Sequence, residues 1–186
     1  MNSDPLPVRA VVALGANLGD RDATLRAAVA ALAATPGVTV LDASVPIESV
    51  ALTPDGLDES KPAYLNGAAL VETTLGPVEL LDQLNRIEDD HGRVRLERWG
   101  DRTLDLDLVV HGDTVVDTPR LTLPHPRAAD RSFVLEPWLQ VDPEAVLPGA
   151  GPVRGILVGL QDPVAHRAGA ARLTESAASP SPKDSA

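Results

Sequence analysis

The run Leu104-Asp105-Leu106-Asp107-Leu108-Val109-Val110 constrains this chain most, because apolar and acidic residues alternate at its start with period two. A strand sends successive side chains to opposite faces, so Leu104, Leu106 and Leu108 point one way and Asp105 and Asp107 the other. The leucines require a core to bury against. The carboxylates, roughly 6.5–7 Å apart by the rise of a strand, present oxygen ligands suited to Mg²⁺, a hard cation that commonly brings substrate phosphates with it. Just upstream, Arg93, Arg95, Arg98 and Arg102 lie within ten residues. Guanidinium forks match phosphate oxygens. Carboxylates for a cation beside guanidiniums for phosphate point to phosphoryl transfer from a nucleotide. Taken singly, the same residues are a polar strand face and a solvated basic loop.

The acidic background makes that arginine group informative. The chain of 186 residues carries a formal net charge of -11, with a sequence pI near 4.6, which weighs against general nucleic-acid binding. An RNA-binding reading also lacks a coherent basic face and the aromatic pattern such domains use. The length suits one domain with a sizeable core. Tyr64, Trp99, Phe133 and Trp138 are the only aromatics, so Val, Leu, Ile and Ala must fill that core. There is no cysteine, hence no disulfide or thiolate site. No signal peptide and no membrane helix is read, and a cytoplasmic location is expected.

In chain order, Met1–Val8 reads as a polar lead and Arg9–Leu14 as a strand. Gly15 and Gly19 bracket a tight connection. Asn17 lies within it, either as a turn residue or lining a pocket. Asp22 is the expected cap of a helix whose apolar stripe is Leu25, Ala28, Val29 and Leu32. Pro36-Gly37 stops that helix. Val38–Val45 is a second strand, and Pro46–Pro62 a long polar loop. Ala63–Thr74 is a third strand. Within it Asn66 makes either a backbone bond at the strand edge or a carboxamide contact to the amide edge of a heterocycle. Pro77 opens a helix through Asp90 with Leu80, Leu81, Leu84 and Ile87 buried. Gly112-Asp113 resembles a hairpin turn, with Val115-Val116 on the returning strand. His125, between two prolines, is placed for phosphate contact, proton donation or loop bracing. Arg127–Asp130 begins a helix, Val153–Leu160 has limited core-forming content, and residues 161–186 read as a flexible tail.

Three further segments complete a pattern: Leu14-Gly15-Ala16-Asn17-Leu18-Gly19, Tyr64-Leu65-Asn66, and Leu121-Thr122-Leu123-Pro124-His125. With Gly92-Arg93-Val94-Arg95 through Arg98-Trp99-Gly100-Asp101-Arg102-Thr103-Leu104-Asp105-Leu106-Asp107, they make the chain resemble the 6-hydroxymethyl-7,8-dihydropterin pyrophosphokinases. The likeness runs in order along almost all of Ala10–Leu160. It implies transfer of the terminal diphosphate of ATP to the pterin hydroxymethyl group, releasing AMP, within folate biosynthesis. It implies a catalytic domain over 9–160 and two Mg²⁺ ions held by Asp105 and Asp107. Arg93 and Arg102 are the implied catalytic arginines around the phosphates. The nucleotide side is expected to comprise Glu88, Arg95, Arg98, Trp99, Arg120, Thr122, His125 and Arg131. The pterin side is expected to comprise Tyr64, Asn66 and Phe133. The implied fold is α/β (α+β), a ferredoxin-like sandwich with a mainly antiparallel sheet covered by helices.

The chain departs from the pattern in three places. The loop over 46–62 has no assigned contacts, Pro126 stands where a tyrosine is usual, and the Arg95–Trp99 loop is one residue shorter. Gly92 and Gly100 flank a charged segment expected to close over ATP. The partners expected are the pterin and ATP, with no nucleic acid, no membrane and a monomeric chain. The alternative is a noncatalytic pterin- or nucleotide-binding protein of the same shape.

Overall fold

The computed structural model describes residues 6–53, 56–91, 103–162 and 164–175. The elements follow as β1 (Val8–Ala16), α1 (Arg21–Ala34), β2 (Val38–Ala43), β3 (Ile47–Ser49), β4 (Ala51–Thr53), β5 (Gly56–Asp58), β6 (Tyr64–Thr73) and α2 (Pro77–Asp90). After them come β7 (Asp105–His111), β8 (Val116–Asp117), β9 (Thr122–Leu123), a 3₁₀ turn at Ala128–Asp130 and α3 (Ser132–Val141). The chain closes with β10 (Val146–Leu147), β11 (Gly151–Pro152), α4 (Val153–Val158) and β12 (Val164–His166). The main sheet runs β12-β3-β6-β1-β7, with β2 also on β6, and its pairings are antiparallel. The order β7-β1-β6-β2 is the ferredoxin-like split β-α-β arrangement. No helix among the described residues is long and apolar enough to cross a membrane.

Strand parity divides the core. Val12, Leu14, Leu106 and Leu108 face one side, where Leu25, Leu32, Leu80 and Leu84 of the two long helices cover them. Val11, Ala13, Ala68, Leu70 and Val109 face the other side and meet Leu135 and Trp138 of α3. Burying each leucine contributes about 1.5–3 kcal/mol. The expected stripe of α1 is buried as read. Its cap differs: Asp20, not Asp22, accepts a 3.1 Å bond from the Ala23 N–H. The helix already begins at Arg21, which places Asp22 in the first turn, where it pairs with Arg26 one turn on at 2.6 Å. In α2 the Glu79 carboxylate accepts the Gly76 N–H at 2.8 Å, and Pro77 opens the helix.

The strand after Gly112-Asp113 does not return along β7: Val116 of β8 pairs with Leu123 of β9 in a separate two-stranded sheet. Two longer segments also depart from the sequence reading. The supposed loop over 46–62 contributes β3 to the main sheet, and β4 pairs with β5 beside it. Prolines at 46, 54 and 62 mask the strand signal. The tail expected from 161 onward is folded through Glu175 in its described part. There β12 extends the sheet beyond β3, and Leu173 is only 3% exposed, packed in the first core. A Cβ on Gly67 would meet Leu173 Cδ1 at 2.7 Å, so any larger residue there would push the Leu173 side chain aside. A single leucine in a polar stretch gives no periodicity to read.

Candidate active site

On the second face of the sheet, beyond the residues that pack against α3, polar side chains replace apolar ones. At this polar end the register sets Asn66 of β6, Gly15 of β1 and Asp105 of β7 in one row. Ala68, Ala13 and Asp107 form the next row. The amide of Asn66 and the carboxylate of Asp105 therefore stand one strand apart, roughly 10 Å at sheet spacing. Between them the floor is only glycine and alanine. A Cβ at Gly15 would sit 3.5 Å from Asn66 Oδ1 and 3.9 Å from Tyr64 Cδ1. Gly15 is thus a strand residue that keeps this floor low, and the turn glycine with a left-handed backbone is Gly19, at φ 64°.

On one side of the floor, Asn66 is buried and donates through Nδ2 to Ser49 Oγ at 2.9 Å. That bond fixes the amide's orientation. Sequence reading missed Ser49. The only signal was the alternation of Ile47, Ser49 and Ala51, all buried, with their neighbours. Tyr64 precedes on the same strand face, half-buried. Phe133, also half-buried, projects from the first turn of α3, and its ring lies 5.6 Å from the Arg131 guanidinium carbon.

On the other side, Asp105 and Asp107 are partly exposed on β7, as their alternation with buried leucines requires. Arg131 Nη1 lies 3.7 Å from Asp107 Oδ2, and His125 Nε2 lies 3.8 Å from the same oxygen. Burial pushes the His125 imidazole below its ordinary value and outweighs the attraction of Asp107. The ring is therefore neutral at pH 7. The Arg127 N–H donates to His125 Nδ1 at 3.2 Å, which assigns the proton to Nε2, the nitrogen nearer Asp107. Burial also lowers Arg131, which stays charged because an arginine starts so high. Arg131 Nε is buried without a hydrogen-bond partner among the described residues.

Other expected site residues stand differently. Glu88 is 1% exposed, and its Oε1 accepts a 2.7 Å bond from the N–H of Leu106, the residue between the two aspartates. Its described contact braces β7. Arg120 pairs with Asp82 of α2, and Thr122 Oγ1 lies 3.5 Å from Asp117 Oδ1; neither of these contacts is to Asp105 or Asp107. Arg93, Arg95, Arg98, Trp99 and Arg102, with the closing segment between Gly92 and Gly100, lie outside the described residues.

Mg²⁺ suits the donor set on β7. Two half-exposed carboxylates share one face of the strand. Among the described residues, no third His, Asp, Glu or Cys completes a cluster of ligands. Carboxylate oxygens are ligands that Mg²⁺ takes together with waters and phosphate oxygens.

A family model described as 7,8-dihydro-6-hydroxymethylpterin-pyrophosphokinase (HPPK) matches residues 11–143 of this chain, a span that contains both sides of the floor. The chain belongs to this family. The HPPK reaction is ATP-dependent pyrophosphoryl transfer to the dihydropterin in folate biosynthesis, and the family uses ATP and Mg²⁺. A curated 2-amino-4-hydroxy-6-hydroxymethyldihydropteridine pyrophosphokinase of Haemophilus influenzae is 39% identical over 143 residues, covering 77% of this chain and 87% of that protein. The protein of the same name from Synechocystis is 43% identical over 142 residues, covering 76% of this chain and 70% of that one. Among solved structures, wild-type Plasmodium falciparum HPPK-DHPS with pteroate superposes with a TM-score of 0.64 at 14% identity. The match covers 85% of this chain but 43% of that one. This chain therefore spans less than half of the Plasmodium protein, and at that identity the likeness is one of fold.

Proposed function

We propose that this HPPK-family chain carries out the pyrophosphoryl transfer at the polar end of its second sheet face, with pterin and nucleotide on opposite sides of Gly15. The observation that carries this reading is the register row Asn66–Gly15–Asp105. It sets a ring-reading amide and a cation-binding carboxylate one strand apart, with nothing larger than a glycine between.

On the pterin side, the Ser49 bond leaves Asn66 Oδ1 as an acceptor for ring N–H groups. Tyr64 and Phe133 supply the aromatic faces. On the nucleotide side, Asp105 and Asp107 hold two Mg²⁺ ions. When bound, these supply charge neutralisation at the transferring phosphates. Arg131 donates to phosphate oxygens, and neutral His125 donates through Nε2–H. Arg93 and Arg102 add guanidinium donors, with Glu88, Arg95, Arg98, Trp99, Arg120 and Thr122 around the nucleotide, as the family resemblance implies. The hydroxymethyl oxygen attacks the β-phosphorus of ATP, the bond to the α–β bridging oxygen breaks, and AMP leaves while the hydroxyl proton is released. Every residue assigned lies on one chain, so a monomer suffices.

The test is incubation of the protein with ATP, Mg²⁺ and 6-hydroxymethyl-7,8-dihydropterin, with products read by mass. The expected products are AMP and the pterin diphosphate. ADP in place of AMP rejects diphosphoryl transfer, and ligand binding without product favours the noncatalytic alternative.

A further inference from the structure

The family match ends at residue 143, yet the chain beyond it returns to the pterin side of the site. Asp162 accepts the Ser132 N–H at 2.8 Å and is also hydrogen-bonded to Ser132 Oγ. Ser132 is buried and opens α3, a helix whose own cap residue, Arg131, makes no capping side-chain bond. The Asp162 carboxylate thus serves from another segment as the acceptor that helix N-termini require, with a charge of the favoured sign. The residues flanking Ser132 are Arg131 and Phe133.

Two residues further on, Val164 pairs with Ser49 on β3, and Ser49 is the residue that orients Asn66. Two residues of chain span at most roughly 7 Å. The start of α3 and the edge of β3, far apart in sequence, are thereby tied to nearly the same point. A second tie lies one helical turn along α3, where His166 Nε2 meets Glu136 Oε1 at 2.6 Å. The distal end is anchored as well. Arg172 bonds Asp42 Oδ2 at 2.7 Å and Gln140 O at 3.1 Å, and Leu173 is buried against Gly67, the residue after Asn66.

We propose that Asp162 is a positioning residue for pterin binding, acting with the strap of residues 164–173 to fix Phe133 and the Ser49–Asn66 pair relative to each other. The inference rests on the assignment of Asn66 and Phe133 to the pterin. Loss of the Asp162 bonds frees the first turn of α3, and Phe133 shifts there before any buried leucine is exposed. Arg131 retains its neighbour Asp107, so the nucleotide side is disturbed less.

The experiment compares full-length wild type with Asp162→Ala, Asp162→Asn and Ser132→Ala, measuring KM for pterin and for ATP separately, with thermal unfolding alongside. Asp162→Ala is expected to raise the pterin KM about tenfold, the scale of a lost hydrogen bond to a charged group, while the ATP KM stays within about twofold. Asp162→Asn restores most of the loss, since its amide accepts the N–H and donates to Oγ. Ser132→Ala, which keeps the N–H bond, gives a smaller shift in the same direction, and decides the matter if Asp162→Ala does not fold. A lowered melting temperature with an unchanged pterin KM makes Asp162 a structural brace and overturns the proposal, as does an equal rise in both KM values. Asn66→Ala and Phe133→Ala serve as controls. If neither raises the pterin KM, the pocket assignment fails; if both do and Asp162→Ala does not, the strap alone fails.

Discussion

The two faces of the central sheet are built from the same three strands and finished in opposite ways. On the first face Val12, Leu14, Leu106 and Leu108 are sealed by the leucines of α1 and α2. On the second face α3 covers Val11, Ala13, Ala68, Leu70 and Val109, and the strand ends beyond it carry Asn66, Gly15 and Asp105 instead of apolar side chains. Parity makes this division possible. One strand can contribute leucines to a core and carboxylates to a site because its side chains alternate. The sealed face supplies rigidity, and the second face holds polar groups at separations set by the sheet. Where the two meet they are coupled: Glu88, on a helix of the sealed face, bonds the backbone of Leu106 between the two aspartates.

That contrast predicts opposite phenotypes. Leu84→Ala, in the sealed core, should lose about 2–5 kcal/mol of stability. The fraction that remains folded should keep its KM values, as checked by chemical denaturation and steady-state kinetics on the same preparation. Altered KM at intact stability would erase the division. Asp105→Asn or Asp107→Asn should do the reverse. Turnover should fall roughly a hundredfold or more, about 3 kcal/mol of transition-state stabilisation, while the melting temperature barely moves. Near-normal Mg²⁺-dependent turnover in both variants would remove the aspartates from the site.

Smaller changes sharpen the second face itself. Ser49→Ala removes the bond that orients Asn66 and should weaken pterin binding about fivefold, on the order of 1 kcal/mol, with ATP binding unchanged. Equal affinity for pterin in calorimetry would show that Asn66 needs no orienting partner. The smallest effect concerns His125. Burial lowers its pKa, so between the folded and unfolded values the unfolded chain binds the proton first. Stability is therefore full above about 6.5, the unfolded value, and declines as pH falls toward the folded value. An NMR titration of the ligand-free protein should place the imidazole midpoint below 6.5. A midpoint above it would make the Asp107 contact an ion pair.

Much of this was legible in the chain. Long periodic segments announced α1, β6, α2 and β7, and Asp105 and Asp107 stood out through their alternation with leucine. Residues that depend on partners distant in sequence did not stand out. Ser49 is an unremarkable serine until β3 pairs with β6, and Gly15 reads as a turn glycine until β1 extends through Ala16. Leu173 in a polar stretch looks like tail until Gly67 leaves room for it. Asp20 and Asp22 are equally good caps by composition, and the choice is made by where the helix begins. Each of these depends on tertiary pairing or an element boundary, which local pattern does not encode.

The central claim, that catalysis occupies the second face with the cation at β7, is tested most directly by paramagnetic Mn²⁺ standing in for Mg²⁺ with a nonhydrolysable ATP analogue. Broadening of amide and methyl resonances reads distance from the ion. The predicted result is strong broadening at Asp105–Asp107 and Ala13, weaker broadening at Gly15 and Asn66, and little at Leu25 and Leu80 in the sealed core. Broadening centred elsewhere, or equal on both faces, would contradict the account.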